Sequence, residues 1–162
     1  MNTPSILFWD FSLAHYAKPG VADCCLQLQN RHGVNVNLLL WSLWLEGENK
    51  LLTNYGLKVA FDTVNLWDAN YVQPLRNLRR KMKREFAEHT EQIAAVREQI
   101  KVAELLAEKQ EQQWLETLTL HWPTANDKID AGKNVLFYLR YLNLPAEVIE
   151  QAKTQCCCIQ QG

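Results

Sequence analysis

The sequence lacks the period-two alternation of apolar and polar residues, and the Asn-Gly or Asp-Gly turns, that are typical of β-strands joined in hairpins. It also contains no internal repeat and no low-complexity linker that would divide the chain. Apolar residues recur instead at spacings of three and four, which is the period of an amphipathic α-helix. The sequence therefore predicts a single all-α domain over residues 1–162.

Signals for export or membrane insertion are missing as well. The segment Met1–Ser5 carries no basic side chain, and Asp10 interrupts the apolar residues that follow, so a signal peptide is not expected. The longest apolar run lies within 38–45 and is far shorter than the roughly 20 residues of a membrane-spanning helix. We expect a cytoplasmic protein without a membrane partner.

Cysteine is present but in an odd number and in adjacent positions, Cys24-Cys25 and 156–158. This arrangement is not typical of a disulfide framework. The favoured interpretation is a small buried thiol at Cys24 or Cys25 and exposed thiols in a fraying C-terminal tail. A metal held between the two groups, or a redox sensor, are the alternatives.

The composition is that of a globular protein with one core. Of the 162 residues, 48% are hydrophobic and 22% are charged, with 17 Lys and Arg against 18 Asp and Glu. A chain of this length buries roughly 70% of its unfolded surface, so it needs no metal or disulfide to fold. The net charge of −1 excludes a globally basic nucleic-acid binder.

Helices are expected along most of the chain, in a bundle of about six to eight. Ser5 and Asn35 are candidate N-caps, and Gly33 is a candidate C-terminal cap. Residues 5–70 would form an aromatic-rich core, 71–118 a charged helical segment, and 123–155 the C-terminal helices. The expected helices outside the charged segment run over 5–17, 21–32, 35–45, 53–69, 126–143 and 145–154.

Charges are sorted by sign within the segment 71–118. Residues 71–84 contain six basic side chains and no acidic one, whereas the rest of the segment is mainly acidic. One continuous helix would place this positive charge at its positive dipole end, so a break near 86–90 with Thr90 as the new cap is favoured over a single helix. In the second half, apolar residues at heptad-like spacing predict a seam whose anchors are Ile93, Val96 and Ile100.

Several short motifs carry a resemblance to a known family. They are Phe8-Trp9-Asp10-Phe11-Ser12-Leu13 with Tyr16, Pro19-Gly20-Val21, Cys25-Leu26 with Leu28-Gln29, Gly33 with 36–41, Pro74-Leu75-Arg76 with Arg79-Arg80, and Lys101 with Glu104-Leu105 and Ala107-Glu108. With these motifs the chain resembles a family of small proteobacterial proteins of uncharacterised function, over about residues 5–116. The resemblance implies a bacterial cytosolic protein and supplies no activity, cofactor or catalytic residue.

Motifs that would indicate catalysis are absent. There is no Gly-x-Ser-x-Gly, no phosphate-binding glycine loop and no His-Glu-x-x-His, so we expect no cofactor, no metal and no catalytic residue. The most enzyme-like group is Asp10 with His15 and Tyr16, since a carboxylate among aromatic side chains has a raised pKa. A surface position on the polar face of its helix is the favoured interpretation of Asp10.

The cationic residues of the segment are the strongest functional signal. They form the basic cluster of Arg76, Arg79, Arg80, Lys83 and Arg84. We expect this cluster and the seam to dock a protein partner, in an adaptor rather than an enzyme, with a homo-oligomer as a further option. An RNA- or ribosome-associated factor is the first alternative, and an enzyme with a site near Asp10, His15 and Tyr16 is the second. The alternative without a binding function is a solvated surface in which these cations pair with Glu85, Glu88, Glu91 and Glu98.

Overall fold

The computed structural model describes residues 3–87 and 90–158, which contain helices and connecting segments and no strand. The predicted all-α fold is confirmed. A π-helical turn, Asp68–Val72, joins the fourth helix to the fifth. The α-helices are α1 Phe8–Tyr16, α2 Val21–His32, α3 Val36–Gly47, α4 Asn54–Trp67, α5 Gln73–Glu85, α6 Glu91–Thr119, α7 Lys133–Tyr141 and α8 Ala146–Gln155.

Helix α3 lies at the centre of the fold because it is apolar on every side. Residues 37–45 are all buried, and α1, α6 and α7 pack around them. Trp44 packs on Phe8 with ring centroids 5.4 Å apart, and its Nε1 donates a hydrogen bond to the carbonyl of Ile6. A helix without a polar face needs cover all round, and the surrounding helices supply it.

The observed helix ends agree with the predicted ones where a residue next to the helix caps it. The Asn35 side chain accepts a hydrogen bond from the Leu38 amide, and Thr53 accepts one from the Gly56 amide. Gly33 ends α2 in the left-handed region, with φ of 65°. The break in the charged segment is also confirmed, because α5 ends at Glu85 and Thr90 caps α6.

Two helix starts differ from the prediction, and in both a distant carboxylate binds the backbone. Helix α1 begins at Phe8, whose amide donates to Glu116, while Ser5 hydrogen-bonds to Glu48 instead of capping α1. Helix α7 begins at Lys133 rather than near residue 126. Glu46 accepts hydrogen bonds from the amides of Gly132, Asn134 and Val135. The contacts of Glu116 with α1 and of Glu46 with α7 span 86 to 108 residues and leave no local signal.

The prediction for the cysteines was right for Cys25, which is a buried free thiol, but wrong for Cys24 and for most of the tail. Cys24 of α2 and Cys156, the residue after α8, form a disulfide with their Cα atoms 5.5 Å apart. Cys157 is buried as well, and only Cys158 of the three tail cysteines is exposed. The two partners are 132 residues apart and meet because α8 packs on α2. Residues 159–162 of the tail lie outside the described residues.

Gly56 lies where α4 meets the segment after α6, and any side chain there would collide. An added Cβ would lie 2.5 Å from the Trp122 ring. We expect Gly56→Val to lower the free energy of unfolding by about 1–3 kcal/mol, because overpacking displaces the indole. Urea denaturation would measure this loss. Asn65→Val, at an exposed position of the same helix, is the control, and equal stability of the two variants would contradict the prediction.

Candidate functional site

Helices α5 and α6 form a hairpin whose base is anchored to the core. Trp67, at the end of α4, donates a hydrogen bond from Nε1 to the carbonyl of Ala107 in α6 at 3.0 Å. The same indole packs edge-on against Trp114 of α6 and against Tyr71 of the π-helical turn. These contacts fix where α5 leaves the core and therefore where the basic cluster lies against α6.

Two arginines of the basic cluster are paired inside the hairpin. Arg79 binds Glu104 with both Nε and Nη2, at 2.5 and 3.1 Å. Arg76 contacts Glu104 at 3.3 Å and Glu108 at 2.7 Å. The side chains of Glu104 and Arg76 are only 9% and 12% exposed, so water screens these pairs weakly. Burial raises the pKa of Glu108, and the charge of Arg76 opposes that shift.

The remaining members of the cluster have no carboxylate partner in the described part of the chain. Arg80 donates from Nη2 to the side-chain oxygen of Asn30 in α2, at 2.7 Å. Burial lowers the pKa of Arg80, and the charges of Arg76 and Arg79 lower it further. Lys83 and Arg84 are exposed near the tip of α5. The cluster is thus divided into Arg76 and Arg79, which are paired with carboxylates, Arg80, which is bound to Asn30, and the exposed pair Lys83 and Arg84.

Internal pairing therefore involves other acids than those expected. Glu85 lies 3.8 Å from Lys81, and Glu98 lies 3.9 Å from Lys101. Neither Glu91 nor Glu98 pairs with the basic cluster within the described residues, and Glu88 lies outside them. The sequence spacing could not identify Glu104 and Glu108, because the register between two packed helices selects them.

The three seam residues lie in two environments. Ile93 and Ile100 are half-buried and share the α6 face that carries Glu104, the face that meets α5. Val96 lies on the flank of α6 and is 52% exposed. Farther along α6, Leu106 is 62% exposed. The predicted anchors are thus divided between the hairpin interface, which holds Ile93 and Ile100, and the exposed flank of α6, which holds Val96.

A cavity of about 450 Å³ lies between the hairpin and helices α1, α2 and the start of α3. Arg76, Arg79 and Arg80 line it from α5, and Glu104 and Glu108 line it from α6. The lining also includes Trp9, Ser12, Leu13, Tyr16, Leu26, Gln29, Asp68, Gln73, Leu105 and Gln112. Sequence reasoning missed this cavity, since its residues come from five separate segments.

Behind the cavity wall lies a buried polar network. Asn37 donates to Glu111 at 2.7 Å and accepts a hydrogen bond from Gln112 at 2.9 Å. Glu111 has no exposed surface, and burial raises its pKa to about 8 although the bond from Asn37 opposes the shift. A carboxyl group of this kind holds its proton at neutral pH.

The structure does not bring the side chains of Asp10, His15 and Tyr16 together in one site. Asp10 is exposed, whereas His15 is buried and donates from Nε2 to the carbonyl of Cys156 at 2.7 Å. Burial lowers the pKa of His15 and raises that of Tyr16, which lines the cavity. Among the described residues, no hydrogen bond joins these three side chains.

Two further findings bear on the chemistry of the described residues. Over 3–87 and 90–158, no three His, Cys, Asp or Glu side chains are grouped as metal ligands would be. In the same part of the chain, no helix combines the length and the apolar composition needed to cross a bilayer.

Comparison with other proteins supports a family but no activity. No match to the chain was found among curated proteins or among solved structures. One family profile matches residues 7–115, described as a protein of unknown function, DUF2390. This match includes α1 to α5, the basic cluster and most of α6, and therefore the residues that line the cavity. The chain belongs to the DUF2390 family.

Proposed function

We propose that this chain is a non-enzymatic docking module that binds an acidic protein partner through its outer hairpin. The outer hairpin is defined here as residues 81–87 and 90–103. The observation that carries the proposal is that none of these residues is buried, although several are apolar. Two helices that bury so little of their surface against the core leave that surface accessible for binding another protein.

The charges of the outer hairpin favour an acidic protein surface. Lys83 and Arg84 are free of carboxylate partners in the described part of the chain. They lie at the tip, where they would steer an acidic partner towards the hairpin. Val96 would supply the apolar contact, with Ile93 and Ile100 supporting it from the hairpin interface.

RNA is the less favoured partner because too few cations remain available. Arg76 and Arg79 are occupied by Glu104 and Glu108, and Arg80 lines the cavity. Binding to a nucleic-acid backbone depends on several Lys and Arg contacts to phosphates. The exposed Val96 side chain also has no role in binding phosphates, whereas it suits a protein surface.

Site-specific photocrosslinking in the source cell tests the proposal. With a photoreactive amino acid in place of Val96, we expect one discrete protein adduct. Lys83→Glu with Arg84→Glu should reduce its yield roughly tenfold or more, because both charges facing the acidic partner are reversed. Lys128→Glu with Arg140→Glu, two exposed cations away from the hairpin, should leave the yield unchanged.

Three outcomes would count against the proposal. An adduct that nuclease removes would identify RNA as the partner. An adduct of twice the chain's own mass would identify a second copy. Absence of any adduct, with the variant folded as judged by its thermal unfolding, would contradict docking at this surface.

A further inference from the structure

We propose that the cavity beneath the hairpin binds a small organic monocarboxylate with an apolar body, and that Arg80 receives the carboxylate. This inference goes beyond the proposed docking function, which uses the tip of the hairpin and not its base. The volume of about 450 Å³ lies within the range of ligand pockets, roughly 300–1,000 Å³.

Arg80 is the anchor because its charge is not neutralised within the described protein. Its single hydrogen bond to a side chain goes to Asn30, an uncharged group. A guanidinium carries five N–H donors in a planar fork, so most of them remain available. A partly buried cation beside two other arginines favours an added negative charge.

No carboxylate of the cavity lining forms an ion pair with Arg80 among the described residues. Glu104 and Glu108 are held by Arg76 and Arg79. Asp68 accepts a hydrogen bond from Gln73 at 2.5 Å and lies in no ion pair of the described residues. Three arginines and three carboxylates therefore line the cavity, and Arg80 is the arginine that lies in no ion pair of the described residues, so its guanidinium is available to a ligand.

The rest of the lining suits an apolar body with some polar character. Trp9, Leu13, Tyr16, Leu26 and Leu105 supply aromatic and aliphatic surface. Three polar atoms of the lining are buried without a hydrogen-bond partner, the Ser12 Oγ, Gln29 Nε2 and Gln112 Oε1 atoms. Buried polar atoms are rarely left unpaired in proteins, and side-chain rotations that turn these atoms towards the cavity would let a bound molecule pair with them.

A monocarboxylate fits this arrangement better than a phosphate. One planar guanidinium matches one carboxylate through two parallel hydrogen bonds. A phosphate monoester carries nearly two charges and would need a second free cation. Arg76 and Arg79 could provide one only by releasing Glu104, which is nearly buried and would lose its partners.

Isothermal titration of the full chain with two matched probes tests the inference. The probes are 3-phenylpropanoate and 3-phenylpropanamide, which have the same body and differ in charge. We expect the carboxylate to bind at least about tenfold more tightly than the amide, since a charge-assisted pair contributes about 1.5–3 kcal/mol. Equal affinities, or no heat from either probe at millimolar concentration, would overturn the inference.

Variants then locate the site. Arg80→Gln should abolish the preference for the carboxylate and leave the amide's affinity unchanged, whereas Arg84→Gln, on the outer hairpin, should keep the preference. Leu105→Trp should remove binding of both probes by filling the cavity, and this position is 48% exposed, so the fold should tolerate it. Tighter binding of phenyl phosphate than of the carboxylate, or a preference that survives Arg80→Gln, would overturn the assignment.

Discussion

Loss of the Cys24–Cys156 disulfide is expected to lower the free energy of unfolding by about 3–5 kcal/mol. The bond joins residues 132 positions apart, so it closes most of the chain into one loop. A crosslink over such a loop restricts the unfolded chain strongly, and the stabilisation grows with the logarithm of loop length. The measurement is urea denaturation of the oxidised protein and of Cys24→Ala with Cys156→Ala.

Reducing conditions provide the control for this prediction. Dithiothreitol should move the urea midpoint of the original protein towards that of the double variant and leave the variant unaffected. Cys158→Ala, which removes an exposed free thiol, should behave as the original protein does. If the double variant and the oxidised protein unfold at the same urea concentration, the disulfide does not stabilise the fold.

The helix boundaries show which parts of the fold could be read from the sequence. Asn35, Thr53 and Thr90 each bind an amide three residues away, and such a cap is visible in any short window. Glu46 caps the start of α7 from nearly 90 residues away, and no short window of sequence contains both partners. Local hydrogen bonds were therefore predictable, whereas long-range caps were not.

The candidate site shows the same division between local and distant information. The run of cations in α5 is visible in the sequence, and so is the break before α6. Which cations are neutralised depends on the register of α5 against α6, and this register places Glu104 between Arg76 and Arg79. The disulfide and the cavity likewise depend on which helices pack together. The fold class and the local helix caps depend on short segments of sequence, whereas the candidate site depends on how the helices pack.

Glu111→Gln is expected to stabilise the protein, and the gain should increase with pH. Glu111 has a pKa of about 8 in the folded protein, against 4.5 for an unburied glutamate. Between these values the unfolded chain releases a proton that the folded chain keeps, so stability falls as pH rises. Glutamine carries no charge at any pH and keeps an oxygen that accepts the Asn37 hydrogen bond. The expected gain is at most about 1 kcal/mol near pH 5 and about 3–5 kcal/mol near pH 9.

Urea denaturation of both proteins at several pH values between these limits measures the gain. The difference between the two proteins matters, because Glu46 and Glu108 also have raised pKa values and affect both proteins alike. Glu98→Gln, at an exposed position of α6, is the control and should change the stability by less than about 0.5 kcal/mol. A Glu111→Gln difference that stays constant from pH 5 to pH 9 would mean that Glu111 is ionised in the folded protein. The buried network with Asn37 and Gln112 would then hold a charge, and the cavity wall beside it would be negative rather than neutral.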